Sequence, residues 1–449
     1  MVMVMVTVED GGELELKKLL EELSGIADEE LPRLVRVRWR RPSRSIPEEE
    51  LEARVTAELE RLQLDRKLSP GEEVALAVGS RGLAELPLIV RTVVQHLRAL
   101  GARPFILPAM GAHGGASASG QRALLEKLGI TEEEMGCPIR ATMEVVELGR
   151  TESGLPVYFD SYAATTKVFL INRIRPHTAF SGRVGSGLLK LLAVGLGKGR
   201  GAKAIHRWGF ELGLERAILE SARVILSKAK VLGGLAIVED FYHRPAIIEA
   251  LAPEEFEERE AELLAQAKEF MPRLPFPELD LLIVDEAGKD LSGTGMDTYL
   301  IGRRYTLGEP EPPEPRIKRI YLRDLSPGSG GNALGIGLAD LIHRRVLEKM
   351  DRLQTYINAL SGTGPEKARI PPYLESDKVA IKLALSLIGP REPKDARVMW
   401  IKNTLELERF LISEALLPQA RANPELDPEL GEPQPLKFEF NERGDLLSI

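Results

Sequence analysis

The sequence predicts an α/β protein of two domains with mainly parallel sheets and an active site in the cleft between them. The chain has 449 residues, which is too long for one ordinary hydrophobic core. Short apolar runs alternate with helical patterns, and several of these runs end in glycine-rich loops. Such alternation is typical of parallel α/β units, which bind ligands at the carboxyl ends of their strands.

The first domain is predicted from the order of its apolar runs. PEEELEARVTAELERL is an amphipathic helix pattern, and EEVALAVGS, RPFILPA, TKVFLINRI and LGGLAIVEDFYH are strand patterns separated by helical segments. The loops GSRG and MGAHGG and the tripeptide RPH each follow one of these strands. We therefore expect Arg81, His113 and His177 at one edge of a parallel sheet.

A charged helix followed by proline-rich coil, residues 253–278, is a linker candidate. Beyond it, LDLLIVDEAG and RIKRIYLRDL predict strands, LADLIHRRVLEKMD a helix and ARVMWIKN another strand. The predicted division is an N-terminal cofactor-binding and catalytic domain (1–270), a C-terminal substrate-closing domain (279–410) and a tail (411–449). The tail is expected to pack back on one of the domains, with the N-terminal domain as the assigned partner.

Composition limits the classes of function. A net charge of −8 and a pI near 5.6 give no support to a general nucleic-acid partner. A single cysteine, Cys137, excludes internal disulfides and a thiolate metal cluster, and it suits a reducing cytoplasm. No apolar run approaches the roughly 18 residues that span a bilayer, and the N-terminus lacks the features of a secretory signal. We therefore predict a cytoplasmic protein without a membrane partner.

The stretch IRPHTAFSGRVGSGLLKLLAVGLGKGRGAKAIH holds His177, Lys190 and His206, although the whole chain has only six histidines. One unbroken helix would place Lys190 and His206 about 24 Å apart. The intervening glycines each cost about 1 kcal/mol inside a helix, so a turn between two helices is expected. From spacing alone, close helix packing is the favoured role of these glycines. A phosphate loop is the weaker interpretation, because no G-x-x-x-x-G-K-[ST] register fits.

The charged side chains admit several roles. Lys190 lies between apolar residues, where a lysine either extends to the surface or acts as a partly desolvated, reactive amine. His113 between glycines is either a plain loop residue or close to a substrate, and His177 at a strand end is the strongest single candidate. His96 and His343 are predicted to lie on the surface. The sequence lacks H-E-x-x-H and G-x-S-x-G, so it indicates neither a zinc protease nor a serine hydrolase.

Taken in order, Arg81, His113, His177, Lys190 and His206 resemble the nickel-dependent lactate racemase family. The resemblance implies a 2-hydroxy-acid racemase or epimerase that uses nickel in a pincer nucleotide (pyridinium-3-thioamide-5-thiocarboxylic acid mononucleotide). It implies covalent attachment of this cofactor to Lys190, nickel ligation by His206, acid/base roles for His113 and His177, and Arg81 near substrate and cofactor. It also implies maturation by cofactor-synthesis proteins. Further predicted site residues are Ser80, Phe180, Ser181 and Gly182 for the cofactor and Lys289 and Tyr356 for the substrate.

Two departures distinguish this chain from the lactate-specific members of that family. In lactate-specific members the run is FSGG-x-K, whereas RVGSGLL separates Gly182 from Lys190 here, and the first strand ends in VGSRG instead of an acidic residue and TRP. Another 2-hydroxy acid, such as a larger sugar acid, is therefore as good a candidate as lactate. Two alternatives stay open: a metal-free nucleotide- or phosphate-binding α/β enzyme, and a non-catalytic ligand-binding homologue. The sequence leaves the oligomeric state open.

Overall fold

A computed structural model describes residues 19–20, 22–80, 82–428 and 435–447. The chain forms two compact units. Unit A comprises Pro42–Met271 and Leu307–Pro310, and unit B comprises Met1–Arg41, Pro272–Thr306 and Glu311–Ile449.

Strands and helices alternate along most of the described chain. The strands are β1 (Leu34–Trp39), β2 (Glu73–Val78), β3 (Arg103–Pro108), β4 (Val145–Arg150), β5 (Pro156–Asp160), β6 (Lys167–Arg173), β7 (Lys230–Glu239), β8 (Pro245–Leu251), β9 (Glu278–Ala287), β10 (Arg316–Leu325), β11 (Leu341–His343), β12 (Tyr373–Leu374), β13 (Val398–Ile401), β14 (Arg409–Ser413) and β15 (Leu426–Pro428). The helices are α1 (Glu48–Arg61), α2 (Leu86–Ala99), α3 (Ala118–Lys127), α4 (Glu132–Met135), α5 (Leu188–Lys190), α6 (Lys198–Leu212), α7 (Leu214–Lys228), α8 (Phe256–Phe270), α9 (Arg344–Lys349), α10 (Arg352–Ser361), α11 (Asp377–Ser386) and α12 (Leu417–Ala422).

Unit A is organised around a sheet of strand order β3-β2-β6-β7-β8. The first four strands are parallel, and β8 runs antiparallel to β7. Ala75 and Ala77 of β2 belong to the core on one face of this sheet, while Val74 and Leu76 belong to the core on the other. Burial on both faces explains why these strands are continuous apolar runs in the sequence.

The order of the strands determines where unit A can hold a ligand. The chain passes from β2 to β3 on one side of β2 and later adds β6 on the other side. The carboxyl ends of β3, β2 and β6 are therefore neighbours, and the direction of strand addition reverses at β2. In open α/β sheets this reversal creates the crevice in which ligands bind.

Unit B contains a sheet of order β12-β11-β10-β9-β13-β14-β1-β15. Five neighbouring strands of this sheet are parallel: β12, β11, β10, β9 and β13. The sheet continues through β14, β1 and β15, each antiparallel to the strand before it. The predicted α/β class, with mainly parallel sheets, is confirmed.

The boundary of the predicted N-terminal domain needs correction. The chain passes from unit A to unit B between Met271 and Pro272, but residues 1–41 belong to unit B and not to the domain predicted for 1–270. The tail, which is predicted to pack on the N-terminal domain, belongs to unit B as well. The reason is strand pairing: β1 pairs with β14 and β15 of the tail, and Leu34 forms a bridge with Leu436.

The helix predicted over LADLIHRRVLEKMD is half wrong. Its first part is the strand β11, inserted between β10 and β12, and only the part from Arg344 is helical. His343 is consequently buried, with Nε2 3.0 Å from Asp445 Oδ1, so its predicted surface position is wrong. His96 is half-buried on α2. Among the described residues, none of the helices is long and apolar enough to cross a membrane.

Candidate active site

The carboxyl ends of β2 and β3 bring two predicted site residues together. Ser80 follows β2, His113 lies in the loop after β3, and Ser80 Oγ is 2.5 Å from His113 Nδ1. Ser80 is half-buried and His113 is exposed, so the imidazole is open to solvent. The residue between strand and serine, Gly79, lies against Asn172 at the end of β6.

His177 follows β6 at the third strand end. Its Nδ1 accepts a hydrogen bond of 3.1 Å from the amide of Ala179, which in the neutral ring assigns the proton to Nε2. The buried ring of Phe180 stacks on the imidazole with centroids 4.5 Å apart. These two contacts fix both the tautomer and the plane of His177.

The segment that carries Lys190 is paired with the segment that carries His177. Ser186 and Arg175 exchange backbone hydrogen bonds of 2.7 and 3.0 Å. Asn172 of β6 donates to the carbonyl of Gly187 at 2.8 Å, and the helix α5 begins at the next residue. The half-buried Lys190 ends α5, and its Nζ donates to Ser186 Oγ at 3.5 Å. The third strand end thus supports both His177 and Lys190.

A carboxyl group from another helix holds the start of α5. Glu260 of α8 is fully buried and accepts hydrogen bonds from the amides of Leu188 and Leu189, the latter at 3.0 Å. A side chain at position 187 would collide with this carboxyl, so glycine is required there. Burial raises the pKa of Glu260 to about 8, although the two amides favour its charged form.

Replacing Glu260 with glutamine is expected to remove a pH dependence of stability. The pKa is about 8 in the fold and about 4.3 in an unfolded chain, so protonation favours folding. This contribution is complete below about pH 4.3 and is lost as the pH rises towards 8. The free energy of unfolding of the wild type relative to E260Q should therefore fall by at most about 1.4 kcal/mol per pH unit between about pH 5 and pH 8, measured by urea unfolding. The exposed Glu258 on the same helix provides the control variant E258Q, and equal pH profiles for wild type and E260Q would contradict the assignment.

After Lys190 the chain does not continue as one straight helix. Residues Leu191–Gly195 form a π-helical turn, and α6 starts at Lys198, whose φ of 52° is left-handed. Gly195 accepts a hydrogen bond of 3.0 Å from the amide of Gly111, and a Cβ at position 195 would lie 2.6 Å from the carbonyl oxygen of Ala109. The glycine at position 195 therefore allows this turn to pack closely against the loop of His113, and not against another helix.

The first lysine of the glycine-rich run GLGKGRGAK pairs with a buried carboxylate and does not face solvent. This lysine, Lys198, is fully buried, and Nζ lies 3.2 Å from the carboxylate of buried Asp160. Burial lowers the pKa of Lys198 and raises that of Asp160, while the attraction between them opposes both shifts. A lysine engaged in this way is closed to an incoming phosphate.

His206, the predicted nickel ligand, is half-buried on α6. One helical turn before it, Ala202 lies against Gly111, two residues before His113. The helix of His206 and the loop of His113 therefore pack together, and this loop also contacts the turn that follows Lys190.

The loop that was predicted to bind cofactor through Phe180, Ser181 and Gly182 has two different environments. Phe180 is buried beneath His177, whereas Ser181 is exposed. Glu215 Oε1 accepts hydrogen bonds from the amides of Arg183 and Val184 at 2.5 and 3.0 Å. The Glu215 carboxylate leaves no room for a side chain at position 182.

The two substrate residues predicted for the second domain, Lys289 and Tyr356, belong to unit B. Arg81 lies outside the described residues. In unit B, Lys289 Nζ donates to the carbonyl of Gly293 at 2.7 Å and to Asn358 Oδ1 at 3.2 Å. Tyr356 lies two residues before Asn358 on α10 and is exposed.

Sequence reasoning missed the residues that support the site. Asn172 could have been noticed, because it is a polar residue at the end of an apolar strand. The predicted histidines were singled out from similar positions after strands. Glu260 and Glu215 gave no signal, since each lies among other glutamates on a charged helix.

No protein-family model and no curated protein sequence matches the chain. Among solved structures, the lactate racemase apoprotein from Thermoanaerobacterium thermosaccharolyticum superposes with a TM-score of 0.50 and 14% sequence identity. The match covers 83% of this chain and 99% of that one. The chain has the fold of lactate racemase. At this identity the likeness to lactate racemase concerns the fold alone.

The donor set present is compatible with the nickel pincer nucleotide that the sequence resemblance implies. Imidazole is a good ligand for nickel, and the pincer nucleotide carries its own sulfur donors, so the lack of cysteine in this region is no obstacle. A half-buried lysine, Lys190, and a half-buried histidine, His206, lie on the two helical segments that flank the glycine-rich turn. These are the two residues of this region whose side-chain chemistry suits such a group.

Proposed function

We propose that this protein is an isomerase that racemises or epimerises a 2-hydroxy acid with a nickel pincer nucleotide bound covalently to Lys190. The fold of lactate racemase supports the reaction class. The observation that carries the proposal is the grouping of Ser80, His113, His177 and the Lys190 segment at the carboxyl ends of the three neighbouring strands β2, β3 and β6. His206 is the proposed protein ligand of nickel.

The residues suit a reaction in which the stereocentre is oxidised and reduced again. The chemistry that this cofactor supplies when bound is reversible acceptance of hydride from the α-carbon. His113 and His177 would take the hydroxyl proton and return it, one on each face of the planar 2-keto acid. An imidazole pKa near 6.5 suits proton transfer in both directions at neutral pH.

The substrate carboxylate requires a cation. We assign this role to Arg81, whose guanidinium would bind a carboxylate in bidentate fashion. Lys289 and Tyr356 of unit B are proposed as further substrate contacts. The cytoplasmic location and the dependence on cofactor-synthesis proteins remain predictions from sequence.

The decisive experiment combines intact mass with metal analysis on protein co-expressed with the cofactor pathway. We expect a mass increment localised to Lys190 by peptide mapping, together with stoichiometric nickel. The loaded protein is then incubated with single enantiomers of 2-hydroxy acids, from lactate to sugar acids, and the products are resolved by chiral chromatography.

Other outcomes would point to the alternatives. Unmodified Lys190 without nickel, despite a working pathway, would contradict the proposal. A tight mononucleotide complex lacking metal would then favour a nucleotide-binding enzyme, and binding of a hydroxy acid without turnover would favour a ligand-binding homologue.

A further inference from the structure

Lys198 occupies an unusual position for a lysine. It lies between glycines at 197 and 199, and its φ of 52° belongs to the left-handed region that glycine adopts most easily. Its side chain is fully buried instead of reaching solvent. A strained backbone and a buried ammonium persist only where the side chain makes compensating contacts.

These contacts are directed at the loop of His113. Lys198 Nζ donates to the carbonyl of Pro108, the last residue of β3, and to Oε1 of Gln121 at 3.3 Å. Asp160, at 3.2 Å, supplies the compensating charge. Asp160 is itself held by the amides of Tyr162 and Ala163 at 2.8 and 3.1 Å.

Gln121 extends the network to the histidine. This fully buried side chain on α3 donates through Nε2 to the carbonyls of Gly111 at 2.9 Å and His113 at 3.3 Å. Together with the bond from Lys198 to Pro108, the network therefore engages carbonyl groups at three positions of one loop, from the end of β3 to His113.

We propose that Lys198 is a positioning residue, which together with Asp160 and Gln121 holds the loop of His113 in its place beside Ser80. Along the chain, Lys198 lies between the turn after Lys190 and the helix of His206. Its side-chain contacts therefore link the loop of His113 to the segment that carries these two residues. The catalytic role of His113 rests on the proposed function, but the position of the loop does not.

The test begins with the apoprotein, so that it is independent of cofactor and substrate. With six histidines, the imidazole signals are resolvable by NMR, and the variant H113Q assigns the signal of His113. Q121L removes both bonds to the loop carbonyls while leaving the Lys198–Asp160 pair. We expect the His113 imidazole to shift or broaden in Q121L, while the signals of His96 and His343 stay unchanged.

Removing the lysine tests its own part. K198M leaves a buried carboxylate unpaired and risks unfolding, so the double variant K198M/D160N, which leaves no uncompensated charge, accompanies it. K203M on the same helix is the matched control, because Lys203 is exposed. In the double variant we expect the same change at His113, and in K203M none.

The holoenzyme gives a second readout. If the loop is displaced by about 1 Å, kcat should fall by about 10- to 100-fold with KM and the covalent cofactor retained. A folded K198M/D160N or Q121L protein with unchanged His113 signals would overturn the proposal. Perturbed signals in an apoprotein that never acquires cofactor would support the positioning role and contradict only the proposed function.

Discussion

Replacing Lys190 with alanine is expected to abolish both the covalent cofactor and the racemase activity. In our proposal the amine of Lys190 is the attachment point, and alanine offers no nucleophile. The fold should survive, because the contacts that hold this segment come from the backbone pairing of Arg175 with Ser186 and from Glu260. Intact mass, nickel content and thermal melting of the variant, co-expressed with the cofactor pathway, measure the three consequences.

Lys203 provides the control for this variant. It lies in the same glycine-rich region but is exposed on α6, and K203A should keep the cofactor and full activity. A K190A protein with wild-type activity would eliminate the covalent mechanism. A K190A protein that binds stoichiometric nickel would show that the metal is held independently of this lysine.

Substituting His113 or His177 with asparagine should lower kcat by about 10²- to 10⁴-fold, the usual contribution of a positioned acid or base. Asparagine places an acceptor near the former Nδ1, which preserves the contact of His113 with Ser80 and of His177 with the Ala179 amide. It removes Nε2 and the titration of the ring. Initial rates from each enantiomer of the substrate, at saturating concentration, report the loss in both directions.

The double variant H113N/H177N tests whether the two histidines act together or independently. If His113 and His177 act in one proton-transfer cycle, H113N/H177N should lose little more than the worse single variant, because effects within one unit are not additive. H96N on α2 serves as the control and should retain kcat. Wild-type kcat in H113N or H177N with cofactor attached would exclude that residue as acid or base.

The four parallel strands of unit A could be predicted because burial on both faces makes each one a continuous apolar run, whereas β4, β5 and β8 were not predicted. The same criterion failed at residues 338–351, where a short strand precedes a helix and both contribute apolar residues at similar spacing. The placement of β1 could not be predicted either. Its partners β14 and β15 lie more than 300 residues away in sequence, and no local pattern records such a pairing.

The candidate site divides in the same way. His113 and His177 were singled out because strand-end loops are where α/β proteins bind ligands, and the structure places them after β3 and β6, the two strands on either side of β2. The sequence assigned no individual role to Lys198 within the glycine-rich run, and the structure buries it against Asp160. Its role depends on where the β5 carboxylate lies, which the run of residues around Lys198 does not encode.

The sequence by itself determined the α/β class, most of the strands of unit A and the ordered set of histidines and lysine. Each of these depends on local periodicity or on residue type at a strand end, which are properties of short segments. Only the tertiary structure decided that residues 1–41 join unit B, that Glu260 holds the start of α5 and that Lys198 holds the loop of His113. These are contacts between segments far apart in the chain, and their energies depend on burial and partner geometry that exist only after folding.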